Sequence, residues 1–384
     1  MGRLIAAEIL VSLAVFALQE VPRGHGMVTL AYMVALGMAL PYLRSLAKRD
    51  LPPPSPQVRR IATVGAIGFA LAQLAFGIVR VAKPKVLDIA TTTVAAIGAL
   101  AHGANPYDVA IDPLAGGIAG VGASIHGYKY LPVMLVAYAP LGLPFGIKGI
   151  VATNVILQGA TALAVGALAA RAGSAVAGLA AAALYLSLPF PAFQVLARGA
   201  NDLVAVLPLL VALLLVERQA FWTGLLVGVS IAAKLMPGLA AVPCLVPERG
   251  RRGAYAAGIV IGLAPIVPFA ATAPHAFFDN IVLFNLVRPI DDTSWLDGMP
   301  GAVVAIARAA ALLGLAAIAV RVWRRDVTVP ERGGALALAI LLVFAVGPDM
   351  HHNYYLWFIP IFAALAGRAA VPSPGDDQRR EAAR

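Results

Sequence analysis

An aspartate stands where one apolar stretch has ended and the next begins. The chain reads Ala82-Lys83-Pro84-Lys85-Val86-Leu87-Asp88, and residues 88–100 are then mostly apolar up to His102-Gly103. About thirteen such residues are too few to cross a bilayer but suit a helix lying at its surface. Asp88 then stands at the start of that helix, where its carboxylate can cap the free amides of the first turn. The same group, with Lys83 and Lys85 supplying positive charge nearby, can take a proton from a substrate hydroxyl beside the lipid. The two roles are compatible, because a capping carboxylate keeps lone pairs to spare.

Further groups follow in the same loop. Asn105-Pro106-Tyr107-Asp108 starts as a turn that Asp108 can close, and Tyr128-Lys129-Tyr130-Leu131-Pro132 enters the next apolar run. Asn105, Tyr107, Asp108, Tyr128 and Tyr130 are candidate substrate contacts, although tyrosines at such places also form aromatic belts at the membrane interface. Two later segments add Arg288, Asp292 and Trp295, and then His351-His352-Asn353-Tyr354-Tyr355, with Tyr354 another candidate contact. Lys129, Arg288, His351 and His352 can receive negative charge that builds on an anionic leaving group. Arg288 leads among them, since a guanidinium grips an oxyanion as a fork and an ammonium only as a point charge. Lys234 stands inside an apolar run, where a lysine is costly unless it reaches water or a partner, and it joins the candidate anion contacts. Asp291 and Asp292, near Asp279 and Asp297, have the oxygen chemistry of a hard-cation site, but adjacent loop acids are mostly solvated, and no metal is expected. The single Cys244 excludes a disulfide framework and a thiolate metal site. A glycine-rich nucleotide loop is absent from the sequence, and no cofactor is expected.

The elements that must carry these groups are membrane helices. Of 384 residues, 60% are hydrophobic and 12% charged, and the mean hydropathy is +0.85, against about 25% charged in a soluble domain. A water-soluble fold is excluded. Apolar runs are expected to form helices at 4–20, 27–46, 61–81, 130–147, 149–170 and 174–190, then 201–216, 220–246, 254–272, 301–322, 333–348 and 354–370. The first is read as a retained helix rather than a cleaved signal, because another spanning stretch follows almost at once. Segment 220–246, with Lys234, Pro237 and Pro243, reads as one broken crossing or a hairpin of two half-helices, and the single crossing is used here.

The net charge of +10 does not form a stripe of the nucleic-acid kind; the basic residues gather in short runs between apolar stretches. Arg44 to Arg60, Arg249 to Arg252, Arg321 to Arg325 and the tail to Arg384 mark one side as cytoplasmic, with both termini there. Residues 82–128 and 273–300, with the link Gly347 to Asn353, fall on the opposite side. Residues 1–370 read as a single transmembrane domain and 371–384 as a disordered cytoplasmic tail.

Taken in order, Asp88 after a helix, the Gly103-Ala-Asn105-Pro106-Tyr107-Asp108 run and Tyr128-Lys129-Tyr130-Leu131-Pro132 resemble the integral-membrane glycosyltransferases of the C superfamily. Gly224-x-x-x-Gly228, Ala232-Ala233-Lys234-Leu235-Met236-Pro237 and His351-His352-Asn353-Tyr354-Tyr355 agree, and the nearest branch is glycosyltransferase family 87. The resemblance covers most of residues 82–365. It implies an all-α polytopic bundle of about 12 transmembrane helices, with an interfacial helix in the first large outer loop. It also implies inverting transfer of a sugar, mannose ahead of arabinofuranose, from a polyprenyl-phosphate donor to a lipid-linked or glycan acceptor at the extracytoplasmic face of the cell membrane. By that likeness the base is Asp88. The competing reading is a lipid or solute transporter, or a non-catalytic lipid-binding protein, using Lys234 and the break near Pro237 as a midplane site. A lipid-linked-oligosaccharide polymerase or ligase is a lesser enzymatic one.

Overall fold

The computed structural model describes residues 56–111, 127–172, 175–284, 289, 290, 294, 296–325, 327–348 and 352–370, and among them all regular structure is helical. The runs expected at 4–20 and 27–46, the tail 371–384, and Arg288, Asp292, Trp295 and His351 lie outside the described residues. In chain order, α1 (Pro56–Ala82), α2 (Asp88–Ala101), α3 (Pro132–Phe145), α4 (Ile147–Ala172) and α5 (Ala175–Ser187) come first. A short turn at Pro189–Ala192 and a π-helical turn at Phe193–Ala197 lead to α6 (Leu203–Leu215), α7 (Ala220–Ala233) and α8 (Leu235–Cys244). Then follow α9 (Arg252–Gly262), α10 (Val267–Thr272), α11 (Pro274–Phe278), α12 (Gly301–Arg324), α13 (Val329–Ala345), a 3₁₀ segment at His352–Trp357, and α14 (Ile359–Ala370).

The chain divides into two compact units. In the first, residues 1–75, 159–193 and 358–384, α5 packs on α14, and Gly166 of α4 and Gly178 of α5 bring two backbones together. The second, residues 76–158 and 194–357, contains every described residue of the candidate site.

Three helical runs, Ile147–Arg171, Arg249–Thr272 and Gly301–Arg324, are long and apolar enough to cross a membrane, and a bent pair, Ala175–Ser187 with Phe190–Ala197, makes a fourth if it is one span. Large apolar side chains such as Val260, Ile261, Ile306, Leu312 and Leu313 point outward along two of them. Water would penalise such a surface and lipid would not, so the chain is a membrane protein.

The segment read as one crossing at 220–246 is corrected. It is two helices, broken at Lys234, whose backbone is extended at φ −149 and ψ 119. Pro237 has no amide to bond the carbonyl four residues back at Ala233, so the helix cannot run through this point. Gly238 then lets α8 turn back against α7, since a Cβ there would stand 2.5 Å from the backbone nitrogen of Ile231. Both ends of the segment arrive at one basic edge. Arg251 donates to the Glu217 carbonyl at 2.7 Å and Arg252 to that of Trp323 at 3.1 Å. Arg321 pairs with Glu331 at 3.9 Å, and Arg332 donates to the Val246 carbonyl at 2.5 Å. The hairpin places Asp202, Lys234 and the 352–357 segment together at the helix ends remote from that edge.

What holds α7 on α9 is backbone contact. Gly224 and Gly228 of α7 face Gly258 and Gly262 of α9, and a Cβ at any of the four would overlap backbone atoms of the facing helix. Small residues of this kind substitute for the hydrophobic drive that lipid removes. Gly258→Ala should lower the stability of the detergent-solubilised protein, followed by its thermal midpoint, by an overpacking cost of about 1–3 kcal/mol. Gly253→Ala on the same helix, where the space is open, should leave it within about 0.5 kcal/mol.

Candidate functional site

Several segments distant in sequence meet at the site, and a single arginine draws the first two together. Arg80, in the last turn of α1, donates to the carbonyls of Lys85 and Ala197, each at 2.8 Å. The amide of Leu87 then donates to the Arg198 carbonyl at 2.9 Å, and Gly199, at φ +75, packs its backbone against Val86 and Ala90. The start of α2 is thereby fastened to the 194–202 stretch.

Asp88 is the first residue of α2 and is exposed; Leu87, not Asp88, occupies the N-cap position. One carboxylate oxygen accepts the Ile89 amide at 2.9 Å. The other makes no hydrogen bond among the described residues, which leaves an acceptor available to a substrate hydroxyl. Thr91 and Thr92 donate to the backbone carbonyl of Asp88 at 2.9 and 2.8 Å, and so brace the first turn.

The opposite flank of α2 carries the tyrosines. The hydroxyls of Thr93 and Tyr128 lie 3.1 Å apart, and the Tyr107 hydroxyl donates to the Tyr130 carbonyl at 2.6 Å. Tyr107 sits among the rings of Phe277 at 4.8 Å, Phe269 at 5.7 Å and Tyr128 at 6.0 Å. Both phenols are buried, which raises their pKa values, and they form a wall rather than an open surface. Asn105 accepts the Tyr107 amide at 3.0 Å and donates to the Phe269 carbonyl at 3.0 Å and the Thr272 hydroxyl at 2.8 Å, so it closes the turn. Asp108 is exposed beyond it.

Lys129 donates to the Asn280 side-chain carbonyl and lies 5.4 Å from the Phe284 ring centre. The Asn280 amide in turn donates to the carbonyls of Tyr107 at 3.0 Å and Ala276 at 2.8 Å. Partial burial lowers the Lys129 ammonium to about 8.

The centre is Asp202, a fully buried carboxylate just ahead of α6. One oxygen accepts Lys234 Nζ at 2.5 Å and Trp357 Nε1 at 2.5 Å, and the other accepts Asn353 Nδ2 at 2.8 Å. Lys234 is framed by the rings of Tyr354 at 4.8 Å, Trp357 at 5.4 Å and Tyr130 at 6.0 Å, and Tyr354 stacks on Trp357 at 4.4 Å. Behind Asp202, Asn154 accepts the Tyr138 hydroxyl at 2.6 Å and donates to the carbonyls of Val195 at 2.9 Å and Ala200 at 3.3 Å.

Of the residues singled out in the sequence, the structure therefore draws Lys234, Tyr130 and Tyr354 into one cluster, and Leu87, the residue before Asp88, is bonded to the Arg198 carbonyl. Tyr107, Tyr128, Asn105 and Lys129 form an adjoining one. His352 opens the 3₁₀ segment that carries Asn353 and Trp357. Ser294 donates to the Gly347 carbonyl at 3.0 Å, which joins the 273–300 loop to the link after α13. Sequence reasoning missed Arg80, Tyr138, Asn154, Asp202, Asn353 and Trp357. A lone Arg or Asn in an apolar run, costly without a partner, was the available signal for Arg80 and Asn154. No group of three or more His, Cys, Asp or Glu suited to a metal occurs among the described residues.

The sequence model of glycosyltransferase family 87 matches residues 128–348. Lys129, Asp202 and Lys234 fall within the match; Asp88, Asn353 and Trp357 fall outside it. No curated protein and no solved structure gives a match. With more than half of its 384 residues covered, including the carboxylate at the centre of the site and the lysine paired with it, the chain belongs to glycosyltransferase family 87.

Proposed function

We propose that the chain transfers a sugar, mannose before arabinofuranose, from a polyprenyl-phosphate donor to a lipid-linked or glycan acceptor hydroxyl, with inversion at the anomeric carbon. The reaction takes place at the extracytoplasmic face of a multi-pass bundle in the cell membrane, with α2 lying at the outer surface. The acceptor hydroxyl gives its proton to Asp88 and its oxygen attacks the anomeric carbon. The bond from that carbon to the phosphate oxygen breaks, and polyprenyl phosphate leaves with the electron pair. Lys234 and Lys129, with Arg288, His351 and His352, receive the charge that develops on the phosphate. Tyr130, Tyr354, Asp108, Asp292 and Trp295 contact the substrates, while Asn105, Tyr107 and Tyr128 hold the wall beside them.

One observation carries this reading. Asp88 is an exposed carboxylate with an uncommitted oxygen, and its helix start is fastened to the stretch that ends in the Lys234-paired Asp202. This tether between the two segments supports a base and a phosphate-seeking cation acting on one substrate, as direct displacement at a sugar phosphate requires. The break at Lys234 would also suit a carrier, but a carrier moves a labelled donor without making a glycosidic bond, and family membership favours bond formation.

Asp88→Asn keeps the shape and removes the base. In membranes supplied with labelled polyprenyl-phosphate mannose and a lipid extract, it should lower transfer at least roughly a hundredfold, with protein level and donor binding nearly unchanged. Turnover close to that of the unmodified chain would reject Asp88 as the base.

Lys129 gives a pH dependence. Its ammonium is disfavoured by burial, so its share of phosphate binding is fully present below about 8 and lost as the pH rises through that value. Donor KM should therefore climb on the alkaline side. In Lys129→Arg, whose guanidinium stays charged, that climb should move to higher pH.

A further inference from the structure

We infer that Asp202 is a positioning residue for the donor phosphate: it holds the Lys234 ammonium, in its aromatic frame, at the point where the phosphate of the lipid-linked sugar binds. This rests on the function proposed above.

The pair is asymmetric. The Asp202 side chain has no solvent exposure, whereas that of Lys234 keeps 13%, so the lysine is the open side of the ion pair. Of its three N–H groups one goes to Asp202, and among the described residues Lys234 donates to no other partner. The rings of Tyr130, Tyr354 and Trp357 stabilise a cation through their faces but accept no strong hydrogen bond from it. An ammonium so placed lacks what phosphate oxygens supply.

The backbone adds to this. Lys234 is the residue at which α7 ends and α8 begins, and α8 starts without a side-chain cap, so the positive end of its dipole falls next to the lysine.

Asp202 determines where that charge sits. A lysine side chain has four rotatable bonds and places its charge loosely unless an anion fixes it. Asp202 is itself fixed by Trp357 and Asn353, four residues apart in the 3₁₀ segment, and by its place at the head of α6. Apolar side chains of similar volume often serve stability as well as a buried ion pair does, so the pair is assigned here to placing the cation.

Binding of sugar-free polyprenyl phosphate to the full chain in detergent tests this without any turnover. Asp202→Asn keeps the volume and removes the charge that orients Lys234; it should weaken binding roughly tenfold or more. Trp357→Phe keeps a ring and removes one donor to Asp202, and should weaken binding severalfold. In the double variant Asp202→Asn with Lys234→Gln, both charges go together. Its thermal midpoint should recover relative to Asp202→Asn alone, while its affinity for polyprenyl phosphate stays low.

Unchanged affinity in a folded Asp202→Asn or Trp357→Phe protein would overturn the inference, and so would a double variant that regains affinity along with stability. If Asp202→Asn fails to fold, Trp357→Phe and the double variant decide. An active Asp88→Asn enzyme would remove the proposed base and leave this binding test standing on its own.

Discussion

A carboxylate without access to solvent must be neutralised and hydrogen-bonded where it lies, and Asp202 meets that demand with three donors from two other parts of the chain. The demand organises the second unit. It fixes the head of α6, the break between α7 and α8, and the 3₁₀ segment at His352–Trp357 as one cluster. Removing a single partner from a buried ion pair typically costs about 3–5 kcal/mol, comparable with much of a domain's net stability. The cluster is therefore also a fold determinant, and Lys234 is the partly exposed member of its ion pair.

The two ends of the helices do different work. At one edge Arg251, Arg252, Arg321 and Arg332 tie helix termini to each other through carbonyls and one acid. At the other end, roughly 20 Å away along α6 at 1.5 Å per residue, helices break and loops carry the polar groups. Backbone contact between α7 and α9 lets the short helices reach that end without long apolar side chains to fill the space between them. Arg80 is the counterpart on the α2 side, where its guanidinium spans two carbonyls and fixes the approach to Asp88.

Helices bounded by strong local signals were legible in the sequence. Residues 88–100 were expected and Asp88–Ala101 is found, because an acid after Pro84 starts the helix and His102-Gly103 ends it. Residues 301–322 and 149–170 were likewise close to Gly301–Arg324 and Ile147–Ala172. The hairpin at Lys234 was not decidable, since both of its arms are equally apolar and periodicity does not report which way a chain turns after a break. Asp202 was passed over for a related reason: its partners lie 32, 151 and 155 residues further on, and only the folded chain brings them within reach. Asn105, Tyr107 and Tyr128 were recognised as a group, but whether a tyrosine lines a cavity or seals a wall depends on packing against Phe269 and Phe277, which no local pattern records.

Membership of a glycosyltransferase family makes glycosidic-bond formation the chemistry of the chain, and the site, the carboxylate and the cation that carry it are what is proposed. An experimental structure of the full chain with a polyprenyl-phosphate ligand bound is the most direct test. The account predicts a phosphate oxygen within hydrogen-bond distance of Lys234 Nζ, the Lys234–Asp202 contact intact, and Asp88 opening onto the same cavity. A phosphate seated away from Lys234, or an Asp88 carboxylate turned from the cavity that holds it, would contradict the account.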